Sequence, residues 1–257
     1  MKREIYNLYD AEEFDSWAAA AGLDPQEHHL FDRYLFDRPK DLRILDAGTG
    51  AGKFLFALSQ HGFRRLTGVD MSRRLIEVAR AKCASIGAED HMSFFLQSVC
   101  ALSFEDESQD AVIALQQLPS LIEDPADRIQ ALREMYRVLV PGGVILACFL
   151  SWEGRWFNPL LAAVIFPLKI LKREFNRLRK NYLCFIKLND RLNTSYLYTQ
   201  QPYAYWFTRR EVEQRLREAG FEILELATSG MLIGQQRSCG SKAVIYVVAK
   251  KPGVVDR

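Results

Sequence analysis

The sequence lacks the cysteine and histidine spacings that mark a disulfide framework or a zinc site. No two of its five cysteines form a C-x-x-C pair (Cys83, Cys100, Cys148, Cys184 and Cys239). Two of the four histidines are adjacent, and none has metal-ligand spacing. This pattern predicts reduced thiols in a cytoplasmic protein and no metal site.

Other features are also absent. The N-terminal stretch MKREIYNLYDAEEFD is charged and has no apolar segment of the kind found in signal peptides. The net charge of +2 is too small to argue for a nucleic-acid partner. What remains is an ordinary globular composition, 49% apolar and 26% charged, over 257 residues. That length suits one large domain, or one domain with a sizeable insertion.

The most informative stretch is the glycine-rich loop ILDAGTGAGKF at 44–54. An acid precedes three glycines at alternate positions (Asp46, Gly48, Gly50 and Gly52). A P-loop requires G-x-x-x-x-G-K-[ST], but its first glycine is replaced here by Ala47, and Phe54 follows the lysine. The dinucleotide fingerprint G-x-G-x-x-G fails because its sixth position is Lys53. An acid followed by G-x-G-x-G remains, with a ligand-free glycine turn as the alternative.

Strands and helices alternate along the chain. Apolar runs predict strands at 42–47, 65–70, 92–97, 110–116, 144–150, 221–226 and 242–250. Polar caps such as Ser72 predict helices between them, and Pro141-Gly142-Gly143 is predicted to end the helix before the fifth strand. We therefore predict an α/β fold with a doubly wound, mostly parallel seven-stranded sheet. The last two strands, with no helix between them, predict a hairpin at the sheet edge.

These stretches together resemble the class I S-adenosylmethionine (SAM)-dependent methyltransferase family. Four segments carry the resemblance: DAGTGAG (46–52), GVDMS (68–72), LSFEDESQDAVIALQQL (102–118) and VLVPGG (138–143). It covers 42–150 closely and 203–250 loosely. The resemblance implies a Rossmann-like methyltransferase fold, SAM as the cofactor, S-adenosylhomocysteine (SAH) as its product, and methyl transfer as the reaction.

The resemblance also implies a cofactor site at the carboxyl ends of the strands. Asp46 would face the ammonium group of SAM, Asp70 would accept hydrogen bonds from the ribose hydroxyls, and Met71 would pack against adenine. Ser98 stands where the family often has an acid for the adenine amino group. The expected cofactor-binding residues are Asp46, Gly48, Gly50, Gly52, Asp70, Met71, Ser98, Val99 and Gln116. The alternatives are structural: cap or turn acids for Asp46 and Asp70, and core filling for Met71.

The sequence does not identify a catalytic base. His28 and His29 are candidates if the N-terminal segment folds over the site, although paired histidines in a helix more often pack or face water. Tyr203 is a third candidate. Ser120 stands where many relatives have a histidine near the acceptor pocket. An aromatic run is predicted to line that pocket or to form the core of an insertion (Tyr196, Tyr198, Tyr203, Tyr205 and Trp206).

The segment 151–202, between the fifth and sixth strands, departs most from the family. Apolar residues recur there at helical spacing, and the stretch 169–180 contains six basic residues and one acid. We predict a helical lid over the acceptor, with a basic amphipathic helix at 157–180 on a membrane surface as the alternative. Residues 1–41 are predicted to form a helical cap, and 42–150 with 203–257 the SAM-binding core.

The predicted function is methyl transfer from SAM to a small, partly apolar acceptor beneath this lid. The sequence has none of the N-P-P-Y, Pro-Cys or paired-glutamate signatures of relatives that methylate nucleic acids or protein arginines. Two alternatives remain open. One is a peripheral-membrane methyltransferase for a lipid or quinone, and the other is a SAM-binding sensor or scaffold without catalysis.

Overall fold

The computed structural model describes residues 22–153, 203–234 and 244–253, together with the backbone of 182–184. Residues 203 and 204 are also described in their backbone only. Most of the predicted lid, including Tyr196 and Tyr198, lies outside the described residues. The division into cap, core and lid therefore stays a prediction. In the part of the chain that the structure describes, no helix is long and apolar enough to cross a bilayer.

Seven strands form one sheet, as predicted. Its members are β1 (Arg43–Ala47), β2 (Arg65–Asp70), β3 (Met92–Leu96), β4 (Gln109–Ala114), β5 (Leu139–Leu150), β8 (Glu222–Thr228) and β9 (Val244–Lys250). Two short strands, β6 (Tyr182–Cys184) and β7 (Tyr203–Tyr205), pair with each other outside it. The sheet order is β3-β2-β1-β4-β5-β9-β8. Neighbours among β1 to β5 are parallel, and β9 runs antiparallel to both β5 and β8.

Eight helical segments are described. They are α1 (Pro25–Phe31) with a π-helical continuation (Asp32–Phe36), α2 (Lys53–Gln60), α3 (Arg73–Ser85), α4 (Leu118–Leu121), α5 (Pro125–Val138), α6 (Arg209–Glu218) and α7 (Ser229–Leu232). The predicted cap Ser72 begins α3, because its side chain accepts a hydrogen bond from the Leu75 N–H at 3.2 Å. Thr208 begins α6 in the same way. Local capping chemistry therefore sets these helix starts.

The sheet is covered on both faces, which explains its continuous apolar strands. On one face, α1, α2, α3 and α7 bury residues such as Phe31, Phe54 and Ile76 against the strands. On the other face, α5 and α6 bury residues such as Met135 and Leu216. The predicted doubly wound α/β fold is confirmed.

The predicted position of Pro141-Gly142-Gly143 was wrong. Helix α5 ends at Val138, and β5 begins directly at Leu139, so these three residues lie inside the strand. The pairing of β4 with β5 shifts register here, and Gly142 adopts a φ of +82° while its N–H bonds to the Lys251 carbonyl. A Cβ at Gly143 would lie 2.9 Å from a backbone oxygen. The glycines therefore serve a strand irregularity rather than a helix stop.

The order of the strands creates one topological switch point. From β1 the chain proceeds outward to β2 and β3, then returns to place β4 against the other side of β1. Connections therefore diverge at the carboxyl ends of β1 and β4. In open α/β sheets, this crevice is where ligands bind. The glycine loop after β1 and the segment after β4 both open onto it.

Candidate functional site

The glycine loop joins β1 to α2 at the switch point. Gly48, Gly50 and Gly52 have φ values of +73°, +54° and +87°, which glycine alone adopts without strain. A Cβ at Gly48 would lie 2.8 Å from Leu118, and one at Gly52 would lie 2.7 Å from Phe56. At Gly50 the nearest atom would be 3.9 Å away. Packing thus requires Gly48 and Gly52, whereas Gly50 has room on its outer side for a ligand to approach.

Asp70, at the carboxyl end of β2, ties this loop to the start of α3. Its Oδ2 accepts from the Gly50 N–H at 2.9 Å, and its Oδ1 accepts from the Ser72 N–H at 2.8 Å. The role of a turn acid is therefore part of what Asp70 does. Each carboxylate oxygen has a second lone pair, so these bonds still allow Asp70 to accept from ligand hydroxyls. Ribose binding stays a prediction.

Asp46 is a buried carboxylate at the end of β1. It is 1% exposed, and among the described residues neither of its oxygens has a hydrogen-bond partner. Burial raises the pKa of Asp46 to about 7, and the charges of Asp70 and Glu27 act in the same direction. The Thr49 hydroxyl offsets part of this increase without forming a hydrogen bond of standard geometry. Because burying an unpaired carboxylate is unfavourable, this site suits a cationic or hydrogen-bond-donating ligand.

Glu27 was not among the residues predicted from the sequence. It lies on α1, is 1% exposed, and forms an ion pair of 2.7 Å with Lys53 at the start of α2. Its other carboxylate oxygen accepts from the side-chain amide of Gln116, just after β4. Glu27 also accepts from the Asp24 N–H at 2.8 Å, as the third residue of a capping box. The D-x-x-E spacing at 24–27 predicts that box, but not the contacts of the carboxylate with Lys53 and Gln116.

Gln116 and Gln117 follow β4 in an unusual backbone conformation. Their φ values are +53° and +60°, in the left-handed region that residues other than glycine seldom occupy. The Gln117 N–H donates to the Cys148 sulfur at 3.1 Å, which helps to hold this turn. Such strain persists only where the surroundings enforce it, and it concentrates at ligand sites. Here it accompanies the contact between Gln116 and Glu27.

The residues predicted to contact adenine lie at the ends of β2 and β3. Met71 is 39% exposed, and Leu96, which pairs in register with Asp70, is 42% exposed. Two large apolar side chains exposed at this edge suit a flat apolar ring, and Leu96 was not among the residues predicted from the sequence. The Ser98 hydroxyl accepts from the Cys100 N–H at 3.2 Å, and Val99 is buried. Ser98 therefore has a local turn role, and its contact with adenine stays a prediction.

On the acceptor side, Ser120 is buried and accepts from the Leu150 N–H at 2.9 Å, so it joins α4 to the end of β5. The Tyr205 ring lies 3.9 Å from the Arg128 guanidinium carbon, and its hydroxyl donates to Glu211. These contacts fit the core alternative for Tyr205. Trp206 is half-buried beside it. Strand β7, which contains Tyr203, packs against α4 and so lies near the crevice.

The two histidine candidates lie on α1. His28 is exposed, and its ring centroid lies 5.7 Å from that of Phe36 in a T-shaped arrangement. His29 is half-buried. The contact of His28 fits the packing alternative, and a role for either as a base stays a prediction. Within the described ranges, no group of three or more histidine, cysteine or acidic side chains could hold a metal ion.

Comparison with known proteins agrees with this geometry. Residues 44–143 match the model of a family described as a methyltransferase domain. The solved structure of a SAM-dependent methyltransferase from Methanosarcina mazei superposes with a TM-score of 0.66 at 21% identity, covering 87% of this chain and 97% of that one. The chain contains a methyltransferase domain at 44–143, on a fold that it shares with SAM-dependent methyltransferases of known structure. Its cofactor is SAM. At this identity the structural likeness by itself shows only the shared fold.

Curated methyltransferases also match. The chain is 35% identical to methyltransferase GfsG of Streptomyces halstedii over 134 residues, 49% of this chain and 46% of that one. It is 27% identical to a demethylmenaquinone methyltransferase of Lactococcus lactis over 234 residues, 89% of this chain and 84% of the relative. A tRNA 5-carboxymethoxyuridine methyltransferase of Escherichia coli is 28% identical over 124 residues, 48% of this chain and 46% of that one. The chain thus spans about half the length of two of these relatives.

The described site fits SAM. The carboxylate of Asp46 lacks a donor and suits an ammonium group, and the room outside Gly50 suits a ligand lying against the backbone. Met71 and Leu96 provide apolar surface beside Asp70. With Gln116 after β4, these features follow the carboxyl edge of β4, β1, β2 and β3 in order, which suits an extended ligand with an amino-acid end and a nucleoside end.

Proposed function

We propose that this methyltransferase transfers the methyl group of SAM to a small acceptor that is at least partly apolar. The observation that carries the proposal is the length of the lactococcal match. It covers 89% of the chain and thus extends well beyond the cofactor-binding part at 44–143. The GfsG and tRNA-enzyme matches cover only about half of the chain. Similarity outside the cofactor region bears on the acceptor, and that relative is named for a quinone.

In this function the chain binds and orients its two ligands. SAM, when bound, supplies an electrophilic sulfonium methyl group. Asp46 and Gln116 would hold its amino-acid end, Asp70 its ribose, and Met71 its adenine. Fixing two reactants in a productive geometry can lower the barrier by several kcal/mol. Holding and aligning the cofactor is therefore the first contribution of these residues.

The acceptor would bind at the same edge of the sheet, beyond β4 and β5. Strand β7 packs against α4, and this places the backbone of 203–205 near the turn that carries Gln116. We propose that the segment 151–202, together with Tyr203, covers the acceptor and excludes water. A general base is required only if the acceptor must lose a proton. For a phenolic acceptor, His28, His29 and Tyr203 are the candidates.

The experiment is a transfer assay with methyl-labelled SAM and four acceptors. These are a reduced short-chain demethylmenaquinone in detergent, a water-soluble phenol, a primary amine, and unmodified tRNA. We expect label on the quinone or the phenol, together with an equal amount of SAH. Label on tRNA alone would contradict the proposal. SAM binding without transfer to any acceptor would favour the sensor alternative.

A second measurement distinguishes the proposed lid from the alternative of attachment to a membrane surface. The protein is sedimented with vesicles that contain or lack anionic lipid, at low and moderate salt. Under the lid proposal, binding to both kinds of vesicle should be weak. Strong binding that requires anionic lipid and is weakened by salt would instead support membrane attachment through 157–180.

A further inference from the structure

Glu27 spans the crevice at the topological switch point. It comes from α1, which precedes the sheet in sequence, yet it contacts the residue that follows the glycine loop and a residue that follows β4. These contacts are the ion pair with Lys53 and the hydrogen bond from Gln116. Because β1 and β4 are neighbours whose connections diverge, a side chain joining these two loops is buried between them at the switch point.

The two buried carboxylates at this position differ in their partners. The charge of Glu27 raises the pKa of Asp46, so the two groups are close enough to interact. Lys53 is the cation paired with Glu27, and its side chain is mostly buried. Asp46 has no donor among the residues described, although it is almost fully buried. A second cation would complete this arrangement.

We propose that Glu27 and Lys53 recognise the amino-acid end of the cofactor, and that the charge of Glu27 makes the site favour SAM over SAH. The inference rests on the assignment of SAM as the cofactor. The amino-acid end of SAM has an ammonium group and a carboxylate. Asp46 and Glu27 are suited to the ammonium group, and Lys53 is suited to the carboxylate.

The preference for SAM follows from the sulfonium group. At neutral pH, SAM has a net positive charge, whereas SAH has lost the sulfonium charge and is neutral. An excess of carboxylates in a buried crevice, where charges are weakly screened, stabilises the cation more than the neutral product. Such a site holds the substrate cofactor and releases the product cofactor more readily.

A purely structural role explains less of what is observed. Glu27 and Lys53 would hold α1 against α2 equally well if no other charge were near. Asp46, however, has no described donor and feels the charge of Glu27, which already has three donors (Lys53, Gln116 and Asp24). Clustering like charges in a buried place is unfavourable unless a cation enters it.

The test compares the affinities of three ligands for the wild type and for Glu27→Gln, by calorimetric titration. The ligands are SAM, SAH and 5′-methylthioadenosine, which lacks the amino-acid end. Gln keeps the size of the side chain and is itself a capping-box residue, so α1 keeps its start. We expect the affinity for SAM to fall about tenfold or more, and that for SAH to fall less. The affinity for methylthioadenosine should stay within about twofold, well below one tenfold step.

A matched control is Glu225→Gln. Glu225 accepts from the Tyr34 hydroxyl at 2.6 Å and pairs with Arg33 at 3.4 Å, so it also holds the N-terminal helical segment to the sheet. It lies on β8, the outermost strand, away from the crevice. All three affinities should remain at the wild-type level in this variant. A second variant, Glu27→Asp, keeps the charge and should retain the preference for SAM even if both ligands bind more weakly.

Several outcomes would overturn the inference. Equal losses for SAM and SAH in Glu27→Gln would remove the charge preference. Parallel losses for all three ligands would make Glu27 a structural residue only, and unchanged affinities would remove it from the site. A wild type that binds no SAM would overturn both this inference and the proposed function. A wild type that binds SAM but methylates nothing would overturn the proposed function alone.

Discussion

Replacing Asp46 by Asn tests whether the buried carboxylate destabilises the folded protein at neutral pH. Asp46 has no hydrogen-bond donor among the described residues, and its pKa is raised from 3.8 to about 7, mainly by burial. At about 1.36 kcal/mol for each pKa unit, a shift of about three units corresponds to a penalty on the order of 4 kcal/mol once the group is fully ionised. Asn has a similar shape and carries no charge.

The sign of the pH dependence follows from the direction of the shift. Because the pKa of Asp46 is higher in the folded state, the folded protein binds more protons than the unfolded chain between about pH 4 and pH 7. The contribution of Asp46 to stability therefore falls as the pH rises through this window. Above about pH 7 the penalty is complete. The advantage of Asp46→Asn over the wild type should grow by about 2–3 kcal/mol between pH 5 and pH 8.

The assay is urea unfolding followed by circular dichroism, at pH 5 and at pH 8. A matched control is Asp110→Asn, because the hydrogen bond from Arg43 lowers the pKa of Asp110. Asp110 is ionised at both pH values, so its replacement should destabilise the protein by a similar amount at each. If Asp46→Asn is likewise destabilised equally at pH 5 and pH 8, then Asp46 is ionised and well satisfied, and the reasoning is refuted.

Cofactor binding provides a second measurement on the same residue. An ammonium group placed beside Asp46 would favour its ionised form and lower its pKa. Binding of SAM near pH 6.5 should then release protons, which titrations in two buffers of different ionisation enthalpy detect. The release should be much smaller in Asp46→Asn. Equal release by both proteins would show that the linked group is not Asp46.

Three further predictions concern single side chains. Asp70→Ala should weaken SAM binding by about 1.5–3 kcal/mol, measured by calorimetry, and an unchanged affinity would remove Asp70 from the site. Ser98→Asp should leave SAM affinity unchanged or improve it, because a charged acceptor forms stronger hydrogen bonds; a large loss would argue against adenine contact at this position. Ser120→Ala should lower the free energy of unfolding by about 1–3 kcal/mol, because the Leu150 N–H loses its acceptor. SAM affinity should be retained in that variant, and a marked loss would contradict its structural role.

The sequence by itself determined the elements and their class. The apolar run at 110–116 predicted a strand, which the structure has at Gln109–Ala114, covered on both faces. Ser72 and Thr208 begin helices because capping depends on residues only three positions apart. The glycines at 48, 50 and 52 are likewise predictable locally, because each has a positive φ within one short loop. Each of these features depends on neighbours along the chain, and so periodicity and local chemistry reveal it.

Sheet pairing and side-chain direction were decided only by the tertiary structure. The chain order cannot specify that β9 inserts between β5 and β8, so that only β8 is left at that edge. Pro141-Gly142-Gly143 resembles a helix stop, but its place inside β5 depends on pairing with β4. Ser120 was expected near the acceptor pocket. Its hydroxyl instead accepts from the Leu150 N–H of β5, so Ser120 is buried and joins α4 to that strand.

Glu27 illustrates the same limit at the site. The local sequence predicts a capping-box acid at the start of a helix, a place where carboxylates commonly face water. Its burial depends on two partners distant along the chain, Lys53 and Gln116, which meet only because β1 and β4 are neighbours. The charge of a group depends on residue type, whereas its desolvation depends on what folds around it. The candidate site was therefore predictable in its loop and acids, but not in the wall that α1 adds to it.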